Sequence, residues 1–154
     1  MVIPGRRSVT VDSIYVDVTV KDKCELPGYT AYIGGLFCIK VVEQPPFDWM
    51  TSNTTCNQDG GHLLTMKSVV LDVKKYVLAT ISLLGISYWI GGDDLDVEGA
   101  WKWSDGSPII SDAWSQGNSS NGGDCLTLHN LAFKDAECSS ILPTICEQST
   151  VFSI

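Results

Sequence analysis

Six cysteines, Cys24, Cys38, Cys56, Cys125, Cys138 and Cys146, carry the most reactive chemistry in this 154-residue chain. Their even number, with N-glycosylation acceptor triplets at Asn53-Thr54-Thr55 and Asn118-Ser119-Ser120, points to disulfide bridges and an oxidising, extracellular compartment. Spacing alone leaves the connectivity open. A zinc-thiolate site is disfavoured, because ribbons and fingers place cysteines only a few positions apart and no pair here is that close. Secretion uses an apolar leader, and Met1 to Val20 instead carries Arg6, Arg7, Asp12 and Asp17, so a secreted protein is expected only with its leader already removed. Asp93, Asp94, Asp96 and Glu98 make a dense acidic turn, which supplies hard oxygen ligands for a divalent cation or else a solvated loop. His62 and His129 are the only side chains that ordinarily titrate near neutrality, and neither has a nucleophile at a recommending spacing. With no triad, metal cluster or phosphate loop, a binding protein is expected and not an enzyme. The formal net charge of -8 argues against nucleic acid or anionic lipid as partner, since phosphate contacts need a clustered basic surface.

One domain must position these residues, and 44% apolar residues suffice to bury a substantial core. The most apolar stretch, Tyr76 to Leu84, is broken by Thr80 and Ser82 and falls short of the ~20 residues of a bilayer span, so no membrane span is expected. Val9, Val11, Ile14, Val16, Val18 and Val20 alternate with polar residues at the period of a half-buried strand, and the phase slips near Ser13 as a bulge would make it. Residues 1–23 therefore read as a β-like extension of one long strand or two short ones, and residues 149–154 as a tail. Val70, Val73, Val77, Ile81 and Leu84 recur at three- and four-residue steps, which predicts a helix capped by Ser68 and stopped by Gly85. A second helix is predicted over Phe47 to Asn57, opened by Asp48. Ile86 to Ile90 reads as a strand, a long stretch rich in Gly, Asp, Ser and Asn follows, and short apolar segments return at Cys125 to Leu128, Leu131 to Phe133 and Ile141 to Cys146. Helices first and short strands afterwards imply an α+β domain.

Trp89-Ile90-Gly91-Gly92, followed by Glu98-Gly99-Ala100-Trp101-Lys102-Trp103-Ser104-Asp105-Gly106, resembles the signature core of C-type lectin-like domains. Trp49, Cys56 and Gly61-His62-Leu63-Leu64 upstream stand in that family's order, as do Trp114, Gly123-Asp124-Cys125, Asp135, Cys138 and Ile145-Cys146-Glu147 downstream. The resemblance runs from about Cys24 to Glu147 and places the domain at residues 24–148. It implies the C-type lectin fold: two helices, small antiparallel sheets, a long irregular loop region and three disulfides. Those would be Cys56 with Cys146, Cys125 with Cys138, and Cys24 with Cys38, the extra pair of the long form. Joining Cys56 to Cys146 would tie the chain ends together and contribute roughly 4–5 kcal/mol in the chain-entropy model. Trp89, Trp101 and Trp103 are then expected in the core and not on a sugar platform.

The same resemblance implies calcium-dependent glycan binding, because calcium takes about six to eight oxygens and vicinal sugar hydroxyls can complete its shell. The family's Glu-Pro-Asn or Gln-Pro-Asp triplet maps onto Gln116, Gly117 and Asn118, keeping two amides and losing the proline. Its acidic residue before the next cysteine maps onto Gly123, with Asp124 placed to reach in after a small loop shift. Its Asn-Asp pair maps onto Lys134 and Asp135, and an ammonium repels a divalent cation. Gln116, Asn118, Asp124 and Asp135 are therefore the candidate sugar and calcium ligands, while Asp94 and Glu98 occupy the accessory calcium positions. A glycan on Asn118 would obstruct the first of these sites. The expected function is that of a secreted, carbohydrate-binding lectin, in the style of a humoral pattern-recognition protein, with a degenerate calcium site. The alternative is a calcium-independent protein- or mineral-binding module on the same fold. Oligomeric state stays open, since the Val-rich extension could pair with another chain or with its own sheet.

Overall fold

Residues 6–11, 14–19, 24–67, 71–109 and 123–150 are described by the structure, a computed structural model. The alternating N-terminal stretch folds back on itself: β1 (Arg6–Val11) and β2 (Ile14–Thr19) form an antiparallel sheet separate from the rest. Val11 pairs with Ile14 and Val9 with Val16, so the slip near Ser13 marks the passage between two strands and not a bulge within one.

Among the described residues, all later strands join one sheet. In spatial order it runs β3 (Thr30–Tyr32), β4 (Phe37–Phe47), β10 (Leu142–Gln148), β6 (Ser87–Asp93), β8 (Cys125–His129) and β9 (Ala132–Ala136). Two short strands branch from it, β5 (His62–Leu63) on β10 and β7 (Lys102–Trp103) on β6. Pairing is antiparallel except where β10 meets β6 at Thr144 and Trp89. Strands β6, β8 and β10 are buried over most of their length, as strands covered on both faces must be. Gly91 and Gly92 allow this crowding: a Cβ on Gly91 would lie 2.9 Å from the Leu63 carbonyl oxygen, and one on Gly92 would lie 2.6 Å from Leu126.

Helix α1 (Trp49–Gln58) starts as its sequence asks, with the Asp48 carboxylate accepting from the Thr51 N–H at 2.7 Å. It buries Trp49, Ser52 and Cys56, and the Ser52 hydroxyl bonds that of Thr144 on β10 at 2.6 Å. Helix α2 (Leu71–Ile81) departs from the predicted stripe, because it buries Lys74, Val77 and Leu78 while Val73 and Leu84 are exposed. Ser68 and Val70 lie outside the described residues. The reason for the departure is Lys74, whose ammonium reaches Glu147 Oε2 at 2.5 Å and donates to the Thr65 carbonyl at 2.7 Å. Glu147 is itself fully buried, and its Oε1 accepts from the Thr65 N–H at 3.2 Å and hydroxyl at 3.4 Å. Burial pulls the Lys74 ammonium below its ordinary pKa, and the Glu147 charge opposes that pull.

The three bridges are Cys24–Cys38, Cys56–Cys146 and Cys125–Cys138, so all six cysteines are paired. Cys56 and Cys146 stand 90 residues apart, and their bridge pins α1 to the last strand. Trp89 and Trp103 are fully buried and Trp101 is half-buried against the same core. The indole N–H groups of Trp49 and Trp89 donate to the Ile90 and Phe47 carbonyls at 3.0 and 2.9 Å, which satisfies the polar end of each ring.

Candidate functional site

Past the end of β6 the chain enters the acidic turn, whose backbone is fixed at two points. The Asp94 N–H donates to the Asp124 carbonyl at 3.0 Å, tying the turn to the residue that leads into β8. The Gly99 N–H donates to Asp94 Oδ2 at 2.9 Å, and Gly99 itself, at φ +83°, takes a left-handed turn that a side chain would oppose. Asp96 forms an ion pair with Lys102 on β7, and Asp93 Oδ1 accepts from the Leu95 N–H at 3.1 Å. These bonds bring Asp94, Glu98 and Asp124 to one spot, where one carboxylate oxygen from each lies within 4.8 Å of the others.

Asp94 is 3% exposed, Asp124 half-buried and Glu98 exposed. Burial raises the Asp94 pKa, the neighbouring Asp124 carboxylate raises it further, and the Gly99 N–H works against both. Glu98 is raised by its hydrogen bond with Asp124 and then by the Asp94 charge. The charge gathered here makes ionising Asp94 and Glu98 harder in the absence of a counter-charge. Asp94 Oδ1 has no hydrogen-bond donor among the described residues, which is uncommon for a buried polar atom. A divalent cation would answer both needs. Three oxygens with this spacing always leave a point within about 2.8 Å of each, near the roughly 2.3–2.6 Å that calcium takes. The donor set is all hard oxygen, which suits calcium or magnesium and not zinc.

This geometry regroups the residues singled out from sequence. Asp124, a candidate for the sugar and calcium site, clusters with Asp94 and Glu98, and its carbonyl is held by the Asp94 N–H. Asp135 stands apart from that trio, buried on β9 opposite Leu126, with Lys134 exposed beside it opposite Thr127. Gln116 and Asn118 lie outside the described residues, as does Trp114. Gly123 is closed to any side chain: a Cβ there would lie 2.4 Å from the carbonyl carbon of Ala136 and 2.6 Å from its oxygen. Backbone atoms cannot swing aside as a side chain can, so the carboxylate that the resemblance expects at this position has no room. Spacing along a sequence supplies residue types and not clearances. His62 holds its Nδ1 2.7 Å from the Leu63 carbonyl, and His129 bonds the hydroxyl of its cross-strand neighbour Ser87 at 2.8 Å.

A family model described as the lectin C-type domain matches residues 46–148. The CD209 antigen of Nomascus concolor is 31% identical over 107 residues, covering 66% of this chain and 26% of that protein, so the chain spans about a quarter of that relative's length. The mouse scavenger receptor C-type lectin carbohydrate-recognition domain superposes with a TM-score of 0.70 at 24% identity, covering 80% of this chain and 96% of that one. A calcium-independent type II antifreeze protein superposes with a TM-score of 0.66, also at 24% identity, covering 81% and 94%. Both share the fold.

Proposed function

This chain belongs to the C-type lectin domain family, and we propose that it is an extracellular glycan-binding domain whose calcium shapes a loop instead of bridging to the sugar. The split between two sets of acidic positions carries the reading. Asp94, Glu98 and Asp124 converge on one spot, with a buried oxygen of Asp94 lacking any donor among the described residues. The other set is depleted, since Gly123 is closed by Ala136 and Lys134 stands where an amide would be needed. Calcium held by Asp94, Glu98 and Asp124 supplies a counter-charge that favours the ionised forms of Asp94 and Glu98 and stiffens the turn against the start of β8. Glycan recognition then falls to direct hydrogen bonds, with Gln116, Asn118 and Asp135 as candidates and the Lys134 ammonium as an added donor. Contacts of that kind are weak singly, so avidity from clustered ligands is expected to matter. Paired cysteines favour an extracellular setting, and among the described residues no helix is long and apolar enough to cross a membrane.

Calcium calorimetry combined with a glycan array in calcium and in chelator tests this reading. One ion per chain is expected, lost in Asp94→Asn, with glycan binding that weakens under chelation without vanishing. Two ions per chain, with sugar binding abolished by chelator, would overturn it. The second reading, a protein- or mineral-binding module, draws on Lys134 and on the acidic stretch from Asp93 to Glu98. A partner retained regardless of competing simple sugars would move the assignment there.

A further inference from the structure

Away from the acidic turn, α1, β5 and the turn after β7 enclose an open groove of about 470 Å³. Asn53 and Asn57, one helical turn apart on the same face of α1, form one wall, and His62, Thr65, Ser104 and Asp105 contribute to the others. The size is that of a small-ligand cleft, about 300–1,000 Å³, but such clefts are mainly apolar and this lining is amide, hydroxyl, imidazole and carboxylate. Several of the lining groups are already engaged. Ser104 donates to the Gly91 carbonyl at 3.2 Å, and Asp105 pairs with Lys67. His62 Nδ1 lies against the Leu63 carbonyl, and because a carbonyl only accepts, neutral His62 keeps its proton on Nδ1 and offers Nε2 as an acceptor.

A free sugar would find few unengaged donors here and no Tyr, Trp or Phe among the lining residues to stack on, so its affinity would be low. A sugar tethered to the wall needs little affinity, because the tether sets a high effective concentration. Asn53 opens the acceptor triplet Asn-Thr-Thr and is half-buried at the groove. We propose that Asn53 carries an N-linked glycan whose first N-acetylglucosamine lies in this groove and covers His62. Attachment forms a bond from Asn53 Nδ2 to the sugar's C1 and breaks the C1–O bond to a lipid-linked diphosphate donor. The diphosphate leaves with the electron pair, and the amide gives up one proton to base. The inference rests on the extracellular reading, since the chain must meet that donor, but its readout is independent of any ligand at the acidic turn.

The test uses the full chain secreted from a eukaryotic host restricted to high-mannose glycans, with peptide mass mapping of Asn53. Diethyl pyrocarbonate labelling of His62, referenced to His129, reports cover over the groove. Endoglycosidase H leaves the first N-acetylglucosamine in place and peptide N-glycosidase F removes it. His62 is expected to label several-fold more slowly than in Thr55→Ala, to stay slow after endoglycosidase H, and to reach the Thr55→Ala rate after peptide N-glycosidase F. Asn53→Gln replaces Thr55→Ala as reference if that variant does not fold. An unmodified Asn53 in secreted material would overturn the proposal, as would equal His62 labelling in all four samples. Neither outcome bears on whether the glycan array registers a ligand.

Discussion

Two buried carboxylates in this domain have opposite company. Glu147, on the last strand, faces the Lys74 ammonium at 2.5 Å and accepts from the N–H and hydroxyl of Thr65. Asp94, just past β6, accepts one N–H from Gly99 and otherwise meets the carboxylates of Glu98 and Asp124. Around β10 the chain answers its buried charges itself, whereas at the acidic turn it gathers like charges. A charge paired within the chain specifies packing, whereas like charges held together leave a need that the proposed calcium would meet.

Removing one partner on the self-sufficient side should have the largest effect. Lys74→Met leaves Glu147 buried and unpaired, and urea unfolding is expected to show a loss of about 3–5 kcal/mol, recovered largely in Lys74→Met with Glu147→Leu. A loss too small to measure would erase the contrast between the two regions. Gly123→Glu, which nominally restores a calcium ligand, should instead cost about 1–3 kcal/mol through its clash with Ala136 and add no second ion by calorimetry. On the acidic side the sign reverses. Asp94→Asn is expected to leave the calcium-free chain as stable as before or more so, while weakening calcium binding at least tenfold, as melting curves with and without the ion would record.

Titration sharpens the same comparison. Asp94 and Glu98 have raised pKa values, so the native chain holds protons that the unfolded chain has released. Without calcium, stability should therefore fall as pH rises from about 4 through those raised values, and calcium should cancel the fall. Asp105 behaves oppositely and more weakly. Lys67, then the Ser107 hydroxyl, hold its pKa at about 2, so its contribution is present above the ordinary carboxylate range and lost as pH falls toward 2. As an exposed pair it should contribute under about 1 kcal/mol, seen as a smaller acid-induced drop in urea midpoint for Asp105→Asn.

Much of the fold is legible in the sequence because its punctuation is chemical. Asp48 caps α1, the cysteines bridge as the resemblance implies, and Trp89, Gly91 and Gly92 mark the crowded strand at the centre of the sheet. Strand β4 is less readable, since Pro45 and Pro46 discourage a strand; they fall where its pairing with β10 skips from Val42 to Phe47. The inward face of α2 escapes hydropathy because its central residue is a lysine whose partner lies 73 positions away, from Lys74 to Glu147. The candidate site is half legible: Asp94 and Glu98 are adjacent turns of one loop, but only tertiary structure joins them to Asp124 and closes Gly123.

The bridge between α1 and the last strand also decides how the domain bears tension. Cys38 and Gln148 face each other across β4 and β10, so the start of β4 and the end of the last strand stand side by side. A pull on both ends would peel β10 only two pairs in, as far as Cys146, which is welded to Cys56. Load would pass through sulfur from one chain end to the other, and everything between residues 57 and 145, the acidic turn included, would hang slack while the tether is taut.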